Sequence, residues 1–358
     1  MFALKTSKIL GICLAHQSMK LKERIKVLTQ LGEHLRREDD EYLQAVMHRT
    51  EYNNGWFTIK NQQLAVRAIA NDMLDKEKLE QWLKAYSIPE QTTPQTVGLV
   101  MAGNIPLVGF HDLLCVFAAG HKSMIKLSDK DRFLLPYLLK LLARFDPRAE
   151  AYFELVDKMK GYDAVIATGS NNSARYFEAY FGKYPNIIRR NRNAIAVLDG
   201  QESPEELQAL GRDIFQYFGL GCRNVAKIYV PKGYAFDPLL EALHEYREMV
   251  LNSKYKNNFD YNYALFVMNK SEYKANGCII LTENPSLQSH IAGLHYEFYD
   301  NLEGVTKEVE EREAEIQCII AREELLSIKT FPFGQAQSPK LWDYADGVDT
   351  MEFLRKLN

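Results

Sequence analysis

The alternation of short apolar runs with helical patterns between Val97 and Leu198 restricts this chain more than any other feature. Val97-Gly98-Leu99-Val100-Met101, Ser123–Leu127, Ala164-Val165-Ile166-Ala167 and Ala194–Leu198 are each short, apolar and suited to a buried strand. Between them lie the apolar run Val108–Ala119 and a helix pattern carrying Leu134, Leu135, Leu138, Leu139 and Leu142. Thr168-Gly169-Ser170-Asn171-Asn172-Ser173 opens another helix. Repeated strand–helix units predict an α/β fold with a parallel sheet covered on both faces. Such sheets hold ligands at the carboxyl ends of their strands, where the loops at 102–106, 127–131 and 168–173 fall.

Ahead of this region, Leu21, Ile25, Leu28, Leu31 and Leu35 recur at spacings of three and four, the signature of one apolar helix face. With the patterns at Leu64–Leu74 and Leu79–Tyr86 they predict a helical N-terminal segment over 1–90, closed by the polar linker ending at Pro94. A first α/β domain is expected over 91–200. After Asp199-Gly200, a helix from about Pro204 to Phe218 leads to the strand Lys227–Val230 and a helix through Leu239–Val250. Further strands at Ala264–Val267, Cys278–Leu281 and Ile316–Ile320, with a helix at Glu303–Glu315, predict a second α/β domain over 201–325. Residues 326–358 read as an ordered segment that wraps back. The helical pattern begins at Met19, so residues 1–18 are read as an upstream extension.

Composition narrows the partners. The formal charge of −3 gives no whole-chain case for nucleic acid. The stretch Leu4–Ala15 makes a poor signal peptide, and no apolar run is long enough to span a bilayer, so no stable membrane insertion is expected. Cys13, Cys115, Cys222, Cys278 and Cys318 form no CxxC pair, which speaks against a zinc knuckle or disulfide framework and for a reducing, cytoplasmic setting. No metal site is expected either. Asp343, Asp346 and Asp349 lack calcium-loop spacing, and His244-Glu245-Tyr246-Arg247-Glu248 ends on Glu where a zinc helix needs His.

The candidate chemistry centres on Gly219-Leu220-Gly221-Cys222-Arg223-Asn224. It lacks the third glycine of a dinucleotide fingerprint and follows a helix rather than a strand. Glycines that permit close approach and a neighbouring cation would suit a reactive thiolate; a buried structural cysteine fits the local sequence equally well. Asn104 before Ile105-Pro106 could be a turn residue, Lys126 a solvated strand end, and Thr168-Gly169-Ser170-Asn171 a helix cap. Arg189, Arg190 and Arg192 read as a solvated cluster, with coenzyme A phosphates as the alternative. His111 and His121 flank an apolar helix and read as structural.

Taken in order, these elements resemble the aldehyde dehydrogenase superfamily: an asparagine loop (Ala102-Gly103-Asn104-Ile105-Pro106), a lysine ending the next strand (Ile125-Lys126-Leu127-Ser128), Thr168-Gly169-Ser170 before a helix, and a glycine-flanked cysteine before the strand Lys227–Pro231. Within it, Gly103–Pro106 and Phe218–Asn224 are similar to the acyl-CoA reductase branch typified by the reductase of bacterial luminescence. The resemblance covers roughly residues 95–250. It implies that 91–200 is a nucleotide-binding domain and 201–325 a catalytic domain. It further implies that Cys222 attacks an acyl carbonyl, with Asn104 and the Cys222 N–H holding the oxyanion. Lys126, Ser128, Thr168, Gly169 and Ser170 would bind NADPH or NADH; Asp129 stands where many NAD-specific members carry an acid. Hydrolytic members place a glutamate base before the strand matching Ala194–Leu198, whereas Asn186–Asn193 contains no carboxylate. Without that base water is not activated, so reduction of an acyl-CoA to its aldehyde is favoured over acid formation. The alternatives are an acylating aldehyde dehydrogenase, an acyl-phosphate reductase, or a non-catalytic nucleotide-binding relative. The superfamily also implies a homo-oligomer.

Overall fold

The computed structural model describes residues 18–357; Cys13, Leu4–Ala15 and the expected extension up to residue 17 lie outside the described residues. The chain forms two compact units, one running to Arg190 and including the tail from Lys340, the other Asn191–Pro339.

The first unit begins with helices α1 (Leu21–Arg36), α2 (Glu41–Asn53), α3 (Ile59–Ala68) and α4 (Lys76–Lys84). Strand β1 (Thr96–Val100), helix α5 (Phe110–Ala119), strand β2 (Lys122–Lys126), helix α6 (Leu134–Phe145) and strand β3 (Phe153–Leu155) follow. Strand β4 (Ala164–Thr168), helix α7 (Asn171–Phe181) and strand β5 (Asn186–Arg189) complete a five-stranded sheet of order β3-β2-β1-β4-β5. Every pairing in it is parallel. Because β2 and β4 flank β1 on opposite sides, the chain direction reverses there, and the crevice at the carboxyl end of β1 is where such sheets bind ligands.

The N-terminal helices belong to this unit and are no separate segment. Leu28 and Leu31 of α1 and Leu79 of α4 share one buried core with Leu113 and Phe117 of α5 and Leu138 of α6. Arg24 secures the join: its buried guanidinium donates to the Met19 carbonyl and, at 3.2 Å, to that of Ala118. A cation there meets the carbonyls that the end of α5 leaves without helical partners.

In the second unit, β6 (Asn193–Val197), helix α8 (Pro204–Phe215), β7 (Val225–Pro231), helix α9 (Phe236–His244) and helix α10 (Ser253–Asn269) come first. Then follow β8 (Lys274–Ala275), β9 (Ile280–Glu283), β10 (Gly293–Tyr299), helix α11 (Leu302–Glu311) and β11 (Ile316–Ile320). The six strands order as β11-β6-β7-β10-β9-β8, parallel except where the edge strand β8 meets β9. Among the described residues no helix is long and apolar enough to cross a membrane.

Three expectations need correction. Ala194–Leu198 does not extend the first sheet: Ala194–Val197 pair with β7 and the same strand pairs with β11, which moves the boundary from residue 200 to Arg190/Asn191. Ala264–Val267 is helical. Asn252 caps α10 by accepting from the Lys254 and Tyr255 amides, and the helix runs unbroken to Asn269 with Tyr255 and Phe259 buried beneath it. The segment 326–358 divides: Phe331 bridges to Ile320 in the second unit, whereas helix α12 (Thr350–Arg355) buries Met351 and Leu354 in the first.

Candidate functional site

Three loops converge at the carboxyl edge of the first unit's sheet. Val100 pairs with Lys126 on one side and Ala167 on the other, so the segments after β1, β2 and β4 emerge side by side. Gly103 shows how closely two of them pass. A Cβ at that position would lie 2.3 Å from the Ser128 hydroxyl and 2.7 Å from the Ser128 Cβ, which no side chain tolerates. Asn104 follows immediately, in the loop before α5.

Buried Asp131 ties the same two loops together, and the sequence reading missed it. Its carboxylate accepts the Leu107 amide at 2.8 Å, while its other oxygen is buried without a partner. Burial pushes this carboxyl up to about 6, against the pull of the Leu107 hydrogen bond.

Lys126 is exposed at the end of β2 and lines a cleft of 360 Å³ with Leu127, Asp129, Arg132, Val156 and Asp157. Asp129 and Arg132 form an exposed ion pair at its mouth. At the end of β4, Ser170 caps α7 by accepting the Ser173 amide at 3.2 Å, so the helix-cap reading holds. The positive end of α7 therefore lies at the sheet's switch region, a natural seat for phosphate. Gly169 is again a close approach: a Cβ there would sit 2.8 Å from both Ser173 and Phe177.

Arg189 corrects another expectation, since it is buried rather than solvated. It pairs with Asp112 and donates to the Thr350 hydroxyl at 2.9 Å, holding α5 and α12 to the sheet's edge strand. Arg190 is exposed and pairs with Glu178. His111 and His121 are structural, as read: they contact the Leu341 and Leu354 carbonyls of the returning tail.

Cys222 lies in the second unit, in a turn closed by the Asn224 amide donating to the Gly221 carbonyl at 3.1 Å, just before β7. The chain reaches this turn through three successive left-handed residues, Tyr217, Phe218 and Gly219, with φ of 55°, 60° and 73°. Left-handed backbone costs a non-glycine residue about 1–2 kcal/mol. Burying each aromatic ring returns about 1.5–3 kcal/mol, and both Tyr217 and Phe218 are buried. Packing thus holds a conformation that propensity opposes.

Asn224 fixes the turn from within. Its side-chain oxygen accepts the Gly221 amide at 2.7 Å, and its side-chain nitrogen faces the carbonyls of Asp213, Ile214 and Gln216 at 3.0, 3.2 and 2.8 Å. Those carbonyls end α8, so one buried side chain joins helix end to cysteine turn. Asp213 in turn accepts the Gly334 and Ala336 amides at 2.6 and 3.0 Å, and burial raises its carboxyl to about 6.

Exposure separates Cys222 from the other described cysteines. Cys115, Cys278 and Cys318 are buried, and burial pushes the Cys278 and Cys318 thiols up to about 12 and that of Cys115 well above its ordinary value. Those thiols stay protonated and inert. Cys222 alone among the four is partly exposed. Its neighbour Arg223 is buried with the guanidinium 5.5 Å from the Phe331 ring centre.

Beside the turn lies a cavity of 220 Å³, walled by Phe218–Gly221 on one side and Gln288–Gly293 on the other. His290, absent from the sequence reading, lines it; its Nε2 is buried without a partner, while Nδ1 contacts the Ile291 carbonyl at 3.0 Å. Asn191, Asn193, Gln288 and Ser289 also line it, but no Lys, Arg, Asp or Glu does. Such a lining suits an uncharged group with hydrogen-bonding atoms.

By sequence, no protein-family model and no curated protein matches the chain. Its fold is nonetheless shared with solved structures. An oxidoreductase from Marinobacter aquaeolei superposes with a TM-score of 0.68 at 13% identity, over 91% of this chain and 80% of that one. Aldehyde dehydrogenase 21 from Physcomitrella patens, determined with the reaction product succinate, gives 0.68 at 12% identity over 97% and 86%. The indole-3-acetaldehyde dehydrogenase AldA of P. syringae, determined with NAD+, gives 0.62 at 13% identity over 91% and 76%. The chain has an aldehyde dehydrogenase-like fold.

Proposed function

We propose that this protein is an NADPH- or NADH-dependent reductase of acyl thioesters, of the acyl-CoA reductase branch, working through a Cys222 acyl-enzyme. One observation carries the reading: among the described residues Cys222 is the partly exposed cysteine, held in a tight turn at the entrance to β7, in an aldehyde dehydrogenase-like fold. The lack of a carboxylate in Asn186–Asn193 supports reduction over hydrolysis, because no base there can activate water against the thioester.

The Cys222 sulfur would bond to the acyl carbon of an acyl-CoA, turning its carbonyl into an oxyanion. The Cys222 N–H is one donor to that oxyanion, and the Asn104 amide is the second by resemblance. Collapse breaks the bond to coenzyme A, whose thiolate leaves and is protonated. A bound reduced dinucleotide would supply the hydride that the acyl carbon needs; Cys222 would hold that carbon until the aldehyde leaves and its thiol is restored. The residues of the first unit fit such a cofactor. The start of α7 with Gly169 suits its pyrophosphate, and the Lys126 cleft suits the adenosine ribose, with Ser128 and Thr168 beside them.

Mixing protein, reduced nicotinamide cofactor and a panel of acyl-CoAs, and following nicotinamide oxidation, tests this. Cys222→Ala should abolish turnover, and Asn104→Ala should lower it by about 10²–10³. Turnover that survives Cys222→Ala, or none with any acyl donor, would sink the proposal.

A further inference from the structure

The segment that follows β11 carries a buried amide to the Cys222 turn. Its start is tied to that strand: the Phe331 amide donates to the Ile319 carbonyl at 2.8 Å, and the Ala321 amide to that of Phe331 at 3.1 Å. Asp213, fully buried near the end of α8, then accepts the Gly334 and Ala336 amides on its two carboxylate oxygens. Gly334 fits there only as glycine, because φ is 79° and a Cβ would lie 2.4 Å from the Arg212 guanidinium. A further turn, closed by the Ser338 amide donating to the Gln335 carbonyl at 3.2 Å, encloses Gln337.

Gln337 is thereby brought against Gly221, the residue before the cysteine. A Cβ at position 221 would lie 3.6 Å from Gln337 Oε1 and 3.7 Å from its Nε2. Gln337 is buried, and its Nε2 has no hydrogen-bond partner among the described residues. Neighbouring acceptors are taken: Asn224 Oδ1 holds the Gly221 amide, and both Asp213 oxygens hold amides of the segment itself. A carboxamide nitrogen carries two N–H donors, and burying them unpaired costs stability. Methionine would fill a similar space without that cost. A pinned, unpaired amide beside the turn therefore calls for an acceptor that arrives from outside the chain.

We propose that the Gln337 side chain is a catalytic hydrogen-bond donor that holds the acyl oxygen of the thioester attacked by Cys222. This role rests on the reading of Cys222 as the acylated thiol. In the step it assists, the Cys222 sulfur bonds to the acyl carbon and the carbonyl electrons move onto oxygen. Their return expels the coenzyme A thiolate, which takes up the proton that Cys222 gave up; nothing is oxidised or reduced. A donor fixed in place beforehand stabilises the charge as it develops on that oxygen. The anchoring of Gly334 and Ala336 by Asp213 is what keeps it fixed.

Acylation needs no dinucleotide, so it can be followed alone. The full chain is mixed with acetyl-, hexanoyl- or palmitoyl-CoA, quenched in acid at intervals and weighed by mass spectrometry, with Cys222→Ala as the blank. Gln337→Met should slow acylation by about 10², yet react with iodoacetamide within about twofold of the wild-type rate, because alkylation of the thiol passes through no oxyanion. Its melting temperature should stay level or rise, since the unpaired amide is gone. Gln337→Glu, which keeps the shape but loses the N–H donors, should acylate as slowly. Gln335→Met, at the exposed neighbour, should match the wild type. If the wild type takes no acyl group from any of the three donors, the acyl-enzyme reading falls and this donor with it. If the wild type is acylated and Gln337→Met keeps pace, or loses alkylation in step with acylation, the donor role alone is overturned.

Discussion

Replacing Asn224 by alanine tests whether one side chain holds the Cys222 turn in place. The substitution removes an acceptor 2.7 Å from the Gly221 amide and a nitrogen within 3.2 Å of three carbonyl oxygens. Each such hydrogen bond contributes about 0.5–1.5 kcal/mol net, and a buried group left without a partner costs about 1–3 kcal/mol. Water entering the vacated space recovers part of this, which leaves a destabilisation of about 3–4 kcal/mol. At 2–4 °C per kcal/mol for a body of this size, the melting temperature of the second unit should fall by roughly 10 °C. Local effects should exceed the global one. Cleavage by a low dose of protease should appear within 216–224, where two aromatics sit in left-handed backbone that the turn no longer secures. Asn224→Asp sharpens the test, because it keeps the acceptor for Gly221 but points a carboxylate at three carbonyls. Its stability should be near that of Asn224→Ala at neutral pH and recover in acid, where a protonated carboxyl can donate again. A loss under about 1 kcal/mol for Asn224→Ala, with no new cleavage in 216–224, would refute the idea that Asn224 organises the turn.

Gly103→Ala should lower the melting temperature by several degrees, because its Cβ would lie 2.3 Å from the Ser128 hydroxyl and 2.7 Å from the Ser128 Cβ; adding Ser128→Gly should recover most of that loss in a thermal melt. Asp213 holds its proton more tightly folded, at about 6, than unfolded, near 3.9, so its stabilising contribution is full below about pH 4 and lost as pH rises through about 6. Between pH 7 and pH 5 the wild type should therefore gain about 1 kcal/mol relative to Asp213→Asn in urea melts, a difference that cancels the opposing effect of the buried His121 and His295. His290→Leu should raise the melting temperature slightly, since it removes a buried nitrogen without a partner, while lowering turnover if the cavity beside the Cys222 turn takes substrate.

Period and apolar content revealed the parts of the fold that follow from them alone. The leucines of α1 and α6, and strands β1, β2, β4, β7 and β11, lie where their patterns predict. Strands that carry polar residues stayed hidden. In β10, Leu294, Tyr296 and Phe298 alternate with His295 and Glu297, and Glu297 is there because it pairs with the buried Lys227 two strand positions into β7. The β5 strand offers only Ile187 and Ile188 as apolar signal, and its Arg189 belongs to a buried pair with Asp112, 77 residues earlier. Nothing in the local run Asn186–Asn193 reveals that partner. Sheet membership was equally illegible: β6 continues the same strand–helix rhythm as β4, and only its pairing with β7 and β11 assigns it to the second unit.

At the candidate site the same limit cuts deeper, because the groups that shape the Cys222 turn are distant in sequence. Asp213 meets amides at 334 and 336, and His290 reaches the cavity from the loop before β10. The one local signal was the pair of glycines, and it told only part of the story: Gly219 supplies a left-handed position, but Tyr217 and Phe218 adopt the same region at a steric cost. A sequence optimised for stability alone would place glycine or asparagine there. Retaining two aromatics exchanges that gain for buried rings that brace the turn, so the strain and the packing have to be kept together. Local preference and tertiary structure disagree most sharply a few residues before the partly exposed cysteine. Such disagreement marks this turn as a place where tertiary packing, and not local preference, sets the backbone.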